Sequence, residues 1–205
     1  MFKSDALFAD LKFVLEQLHA PLLALFKTMG EHLARPDVGA SAAQAGVVRE
    51  ALRLICRIFY SLNWQDIPEC FEDSMAEWMG GFVQYLSYAS PALLRPDEEN
   101  EPGPIEKLQA AVVENVNLYA DKYEEEFQPH LPSFTTAIWG LATQVGAQPK
   151  FDALATTSIR FLTSIVAKPM HAAMFQDEAT LRQIVQAIVV PNLQLRESDE
   201  ELFED

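Results

Sequence analysis

Apolar residues recur every three or four positions from the first turns of the chain. In SDALFADLKFVLEQLHAPLLALFKTMGEHLA they fall at Leu7, Leu11, Val14, Leu15, Leu18, Leu22, Leu25, Phe26, Met29 and Leu33. This is the stripe of an amphipathic α-helix. The same period returns in each later segment, and no stretch alternates apolar and polar residues between turn signals. The chain is therefore expected to be all-α.

Breakers divide the pattern. Ser4 is the expected N-cap of the first helix. Pro21 lies mid-pattern, where it removes a hydrogen bond and crowds the preceding turn, so a kink near His19 or two helices end to end are expected. RPDVGA (35–40) ends this segment. A second helix follows over about 41–62, with Val47, Val48, Leu52, Leu54, Ile55, Ile58, Phe59 and Leu62 as its apolar stripe. Arg49, Arg53 and Arg57 recur four apart on another face. The stretch FYSLNWQDIPECFED (59–73) then stops one helix and starts the next. Pro68 suits a first turn, and the acids beside it favour the positive end of the helix dipole. A third helix is expected over about 68–88, and a fourth over about 104–125 after the acidic, proline-rich loop SPALLRPDEENEPGPIE. A fifth starts between Pro129 and Pro132 and runs to about Val145. A sixth spans about 150–167. A seventh, about 177–190, stops at Pro191 before an acidic tail.

Grouped in order, these helices make pairs over about 4–62, 68–125 and 129–167, with one unpaired helix. The units have roughly the length of the helical hairpins in HEAT and armadillo arrays. The expected architecture is an α-solenoid of HEAT-type hairpins, about three pairs plus one extra helix. A section of such an array has raw ends, whose apolar faces are meant for neighbouring repeats. Those faces offer a route to pairing two copies.

Charge narrows the partners. The net charge is -15, unevenly placed. Residues 1–60 hold seven Lys/Arg against six Asp/Glu, and residues 61–205 hold eight against 24. Such a surface is unsuited to nucleic acid or to an anionic membrane, and it suits basic partners. Lys3, Asp5 and Asp10 interrupt the N-terminus, so no signal peptide is read there. No apolar run reaches the about 18 residues of a membrane span.

Little here points to chemistry. Cys56 and Cys70 form no CxxC, and they are read as reduced thiols. His19, His32, His130 and His171 have no His or Cys three or four residues away, so zinc spacing is missing. There is no GxxxxGK[ST], GxGxxG or GxSxG motif. Glu124, Glu125 and Glu126 read as a solvated helix end. No catalytic residue, metal or cofactor is expected. The candidate binding residues are the Arg49, Arg53 and Arg57 ridge and the acids Glu197, Asp199, Glu200 and Glu201 of the tail.

Four long stretches carry a resemblance. FKSDALFADLKFVLEQLHAPL, FYSLNWQDIPECFEDSMAEWM, YADKYEEEFQPHLPSFTTAIW and IVVPNLQLRESDEELFED resemble the importin-β (karyopherin) superfamily, and within it the receptors that export importin-α from the nucleus. The departures lie at 34–46 and 91–104. The resemblance implies a HEAT solenoid without enzymatic activity. It binds importin-α cargo with Ran-GTP in the nucleus, releases it in the cytoplasm after GTP hydrolysis, and so shuttles between the two. A full receptor of this kind is several times longer. The chain would be an early-middle section of its arch, lacking the main Ran-binding repeats and weak for Ran alone. FYSLNWQDIPECFED would then be an architectural junction between repeats. The tail would lead toward an acidic insertion able to meet a basic partner. Periodicity alone also allows a helical-repeat interaction module with another partner.

Overall fold

The computed structural model describes residues 5–39, 41–87, 101–145, 148–168, 171 and 175–196. Every regular element among them is helical. They fall into two compact units, Met1–Arg95 and Pro96–Asp205.

In the first unit α1 spans Asp5–Ala34 and continues through Pro21 as one helix. The expected division into two helices does not occur. Pro21 and Gln17 are both exposed, so water can take the bond that the proline leaves open at the Gln17 carbonyl. Ser4, the expected cap, lies outside the described residues. After a short α2 (Pro36–Gly39), α3 covers Ala42–Asn63. Ser41 caps it, its Oγ accepting from the Gln44 N–H at 3.4 Å.

The expected third helix is two. α4 (Glu69–Asp73) and α5 (Met75–Leu86) part at Ser74. Pro68 sits at the N-cap of α4, one place earlier than expected, and Glu69 and Glu72 occupy the first turn. Ser74 is buried. Its hydroxyl donates to the Cys70 carbonyl at 2.8 Å, and His19 Nε2 of α1 lies 2.7 Å from the same oxygen. With the single hydroxyl proton committed to Cys70, the imidazole is the donor of that second bond.

α1 packs on α3, α4 and α5. Aromatic rings fill the space between them. Phe26 lies 4.6 Å from Trp78, 5.5 Å from Phe82 and 5.3 Å from Tyr85, centroid to centroid. Phe59 lies 4.8 Å from Trp78, 5.2 Å from Phe82 and 5.3 Å from Phe71. Most of these pairs are tilted or edge-on, which suits the ring quadrupoles. Tyr85 Oη donates to the Phe26 carbonyl at 3.2 Å. Two glycines make this approach possible. A Cβ at Gly30 would stand 2.5 Å from Tyr85 Oη, and a Cβ at Gly81 would overlap the Phe26 ring.

The second unit opens with α6 (Pro104–Lys122), which starts on a proline in its first turn. It ends sooner than expected. Tyr123, at φ -124° and ψ 52°, leaves the helix, and α7 (Glu124–Phe127) begins anew. A 3-10 turn over Gln128–His130 leads into α8 (Leu131–Gln144). Another over Pro149–Phe151 leads into α9 (Asp152–Val166). The largest packing interface here joins α6 and α9, with α8 on α9 next.

Within the first unit α1 packs on α3, and within the second α8 packs on α9. The pair expected over 68–125 divides between the two units, and within the second unit α6 takes α9 as its main partner.

The seventh helix is longer than expected. It runs as α10 (Glu178–Gln183), a π turn (Ile184–Val189) and α11 (Val190–Leu193). It passes through Pro191, which directly follows the π turn.

Candidate partner-binding surfaces

The three arginines of α3 do not share one exposed ridge. Arg49 is buried, with 3% of its surface accessible. Arg53 forks onto Glu50, Nε to Oε2 at 2.8 Å and Nη2 to Oε1 at 2.6 Å. Arg57 is exposed beside Leu54 and Ile58, which are exposed too. The cause is that α3 carries two apolar faces. Leu52, Ile55, Cys56 and Phe59 form the core face, while Val47, Leu54 and Ile58 lie open to water. Sequence reading merged them into one stripe and placed Arg49 outside it. The separating signal was present. Positions 47, 54 and 58 share one helical register and 45, 49, 52, 56, 59 and 63 another. Glu197, Asp199, Glu200 and Glu201 lie outside the described residues, as does most of the acidic loop expected near 90–104.

α1 shows a similar second face. Val14, Leu18 and Leu25 are exposed on it, and Phe13 is exposed further round the helix. In the second unit the last helix exposes Leu181, Val185, Val189 and Leu193.

Burial shifts several titratable groups. Burial holds the His19 imidazole below its ordinary value, and the nearby Asp73 carboxylate pulls the other way. Burial also lowers His130 and raises the Cys56 thiol, which is inert as a nucleophile in that state. A small cleft in the second unit is lined by Phe127, Leu131, Ile165, Lys168 and His171 and has room for roughly one water. Lys168 closes it. Its Nζ donates to the Ala120 carbonyl at 2.8 Å and pairs with Glu124 at 3.2 Å. Among the described residues, no group of three or more His, Cys, Asp or Glu could hold a metal ion, and no helix is long and apolar enough to cross a membrane.

A family model described as Cse1 matches residues 1–205. The chain belongs to the Cse1 family. It is 43% identical over 206 residues to Exportin-2 of Xenopus laevis, spanning 100% of this chain and 21% of that protein. Exportin-2 of Homo sapiens is 42% identical over 204 residues, with the same coverage. A solved structure described as the exportin Cse1 in its cargo-free, cytoplasmic state matches with a TM-score of 0.91 at 38% identity, over 100% of this chain and 22% of that one. The chain thus spans about a fifth of the length of the Cse1-family relatives it matches. Its helices are those of a Cse1-type helical repeat.

Proposed function

We propose that the chain is a non-catalytic section of a nuclear export receptor, which carries importin-α out of the nucleus with Ran-GTP and shuttles between nucleus and cytoplasm. The observation that carries this reading is the match along the whole chain to the exportin Cse1, in sequence and in backbone. The exposed apolar faces of α1, α3 and the last helix agree with it, because a repeat inside a solenoid needs neighbours on both sides. Expected contacts with a basic partner fall to Glu197, Asp199, Glu200 and Glu201, and Arg57 is the open cationic group of its ridge. Ran is expected to bind this section weakly on its own.

The test is capture of purified importin-α by the chain, with and without Ran-GTP, at two salt concentrations. Capture that weakens with salt and with charge reversal at 199–201 supports a cargo surface here. Equal capture of unrelated proteins would favour a general helical-repeat module. Tight, GTP-dependent binding of Ran by the chain alone would overturn the weak-Ran expectation.

A further inference from the structure

The last stretch of the chain sorts its charges by sign. No charged residue occurs from Gln183 to Leu195, and every charged residue after Arg196 is acidic. Arg196 is thus the single cation beyond Arg182, and Glu197, Asp199, Glu200 and Glu201 follow it closely. Left to its neighbours in sequence, this guanidinium would pair with those carboxylates, because a planar fork of N–H groups grips a carboxylate well. The structure gives it another partner. Arg196 Nη2 lies 2.6 Å from Asp152 Oδ1, and Nη1 lies 3.0 Å from Oδ2. The arginine side chain is 23% exposed, so water screens this fork less than an open surface pair.

Both ends of the bond are held. Asp152 opens α9, where the helix dipole favours a carboxylate. Arg196 is delivered by the last helix. Asp177 caps that helix through the Thr180 N–H at 2.9 Å, and Ile188 is buried where its π turn packs on α8. Gln194 then turns extended, at ψ 126°, and carries the chain across to the fork. The bond fixes the point from which the acids start, and it withdraws the nearest cation from them. We propose that Arg196 is a positioning residue for a basic partner: its fork on Asp152 anchors the acidic run at 197–201 and keeps those carboxylates free of a neighbouring cation. A Lys- or Arg-rich segment then meets charges already tied to the fold, and less ordering is lost on binding. This rests on the reading of Glu197, Asp199, Glu200 and Glu201 as contacts for a basic partner.

The test is the affinity of the whole chain for an oligolysine peptide. Arg196→Gln is the decisive variant, because charge and anchoring predict opposite signs. Removing a cation makes the chain more acidic, which by charge alone should tighten binding. Loss of the anchor should weaken it, by roughly threefold to fivefold for a pair of this exposure. Arg196→Lys keeps the charge without the fork and should also bind more weakly than the parent chain. Arg196→Asp together with Asp152→Arg keeps the net charge and reverses the fork, so binding should recover. In a chain carrying Glu197→Gln, Asp199→Asn, Glu200→Gln and Glu201→Gln, Arg196→Gln should have no further effect. Tighter or unchanged binding in Arg196→Gln would overturn the anchor, as would an exchanged pair that binds no better than Arg196→Gln. Binding indifferent to the four neutralised acids would overturn both the anchor and the reading of the acids. A chain that shows the expected oligolysine pattern yet captures no importin-α with Ran-GTP would refute the proposed function and leave the anchor standing.

Discussion

The two units hold their helices together by different means. In the first, rings from α1, α3, α4 and α5 meet in one cluster around Phe26, Phe59 and Trp78. In the second, ring contacts are scattered pairs, Tyr119 with Tyr123, Phe127 with Phe134 and Trp139 with Phe175. There, aliphatic side chains such as Val112, Val116, Leu154 and Ile165 fill the core, and polar ties run beside them. Asn117 donates to the Thr157 carbonyl at 3.0 Å, Arg160 pairs with Asp121 at 2.9 Å, and Lys168 reaches the Ala120 carbonyl near the end of α6. A ring cluster is cooperative, since each member touches several others. Polar ties are pairwise. The same helical period can thus be secured around an aromatic cluster or around an aliphatic core with polar ties beside it.

The largest expected effect tests the cluster. Trp78→Ala should cost about 3–5 kcal/mol, measured by denaturant melts, with exchange protection lost across α1, α3 and α5 together. Loss confined to α5 would break the cooperative half of the contrast. Next is Gly81→Ala. An added methyl group against Phe26 should cost about 1–3 kcal/mol, and Phe26→Leu in the same chain should recover part of it. A smaller effect belongs to the second unit. Lys168→Met should cost about 1–2 kcal/mol through its hydrogen bonds and should add to Asn117→Ala within about 0.5 kcal/mol. Strong coupling between those two would show that the ties act as a network.

The fourth prediction concerns pH. His19 is held neutral by burial, so its folded pKa lies below its ordinary 6.5. Below 6.5 the unfolded chain binds the proton more readily, so the contribution of neutral His19 is present above that pH and lost as pH falls. Melting of the first unit should drop from pH 7.5 to 5.5, and His19→Gln should flatten that slope without changing the second unit, where His130 acts in the same sense. The smallest effect is expected at Arg53→Ala. Its pair with Glu50 is half-exposed and local, worth below about 1 kcal/mol.

Much of this organisation was legible in the sequence. The period set the class, and proline, glycine and serine marked most helix starts within a few residues. Two kinds of detail were not legible. The break at Ser74 depends on a hydroxyl turned back to Cys70 and met by His19, 55 residues away, and no local signal records that partner. The second apolar faces of α1 and α3 were merged with the core stripe at Val14, Leu18, Leu25, Val47, Leu54 and Ile58, because periodicity reports that a residue is apolar and says nothing of which neighbour covers it. Arg49 failed for the mirrored reason. A charged residue in the core register was read as surface from its type alone. Pro191 misled because a proline was taken as a stop, whereas here the helix runs on past it just after the π turn.

The contact between Gly81 and Phe26 has a consequence for descent. A lineage that gains a side chain at 81 while the ring at 26 is intact passes through a damaged protein. One that first trims the ring and later fills the gap meets a shallower penalty at each step. The two positions therefore have a preferred order of change, and a present-day pair of residues there keeps a trace of the path by which it arose.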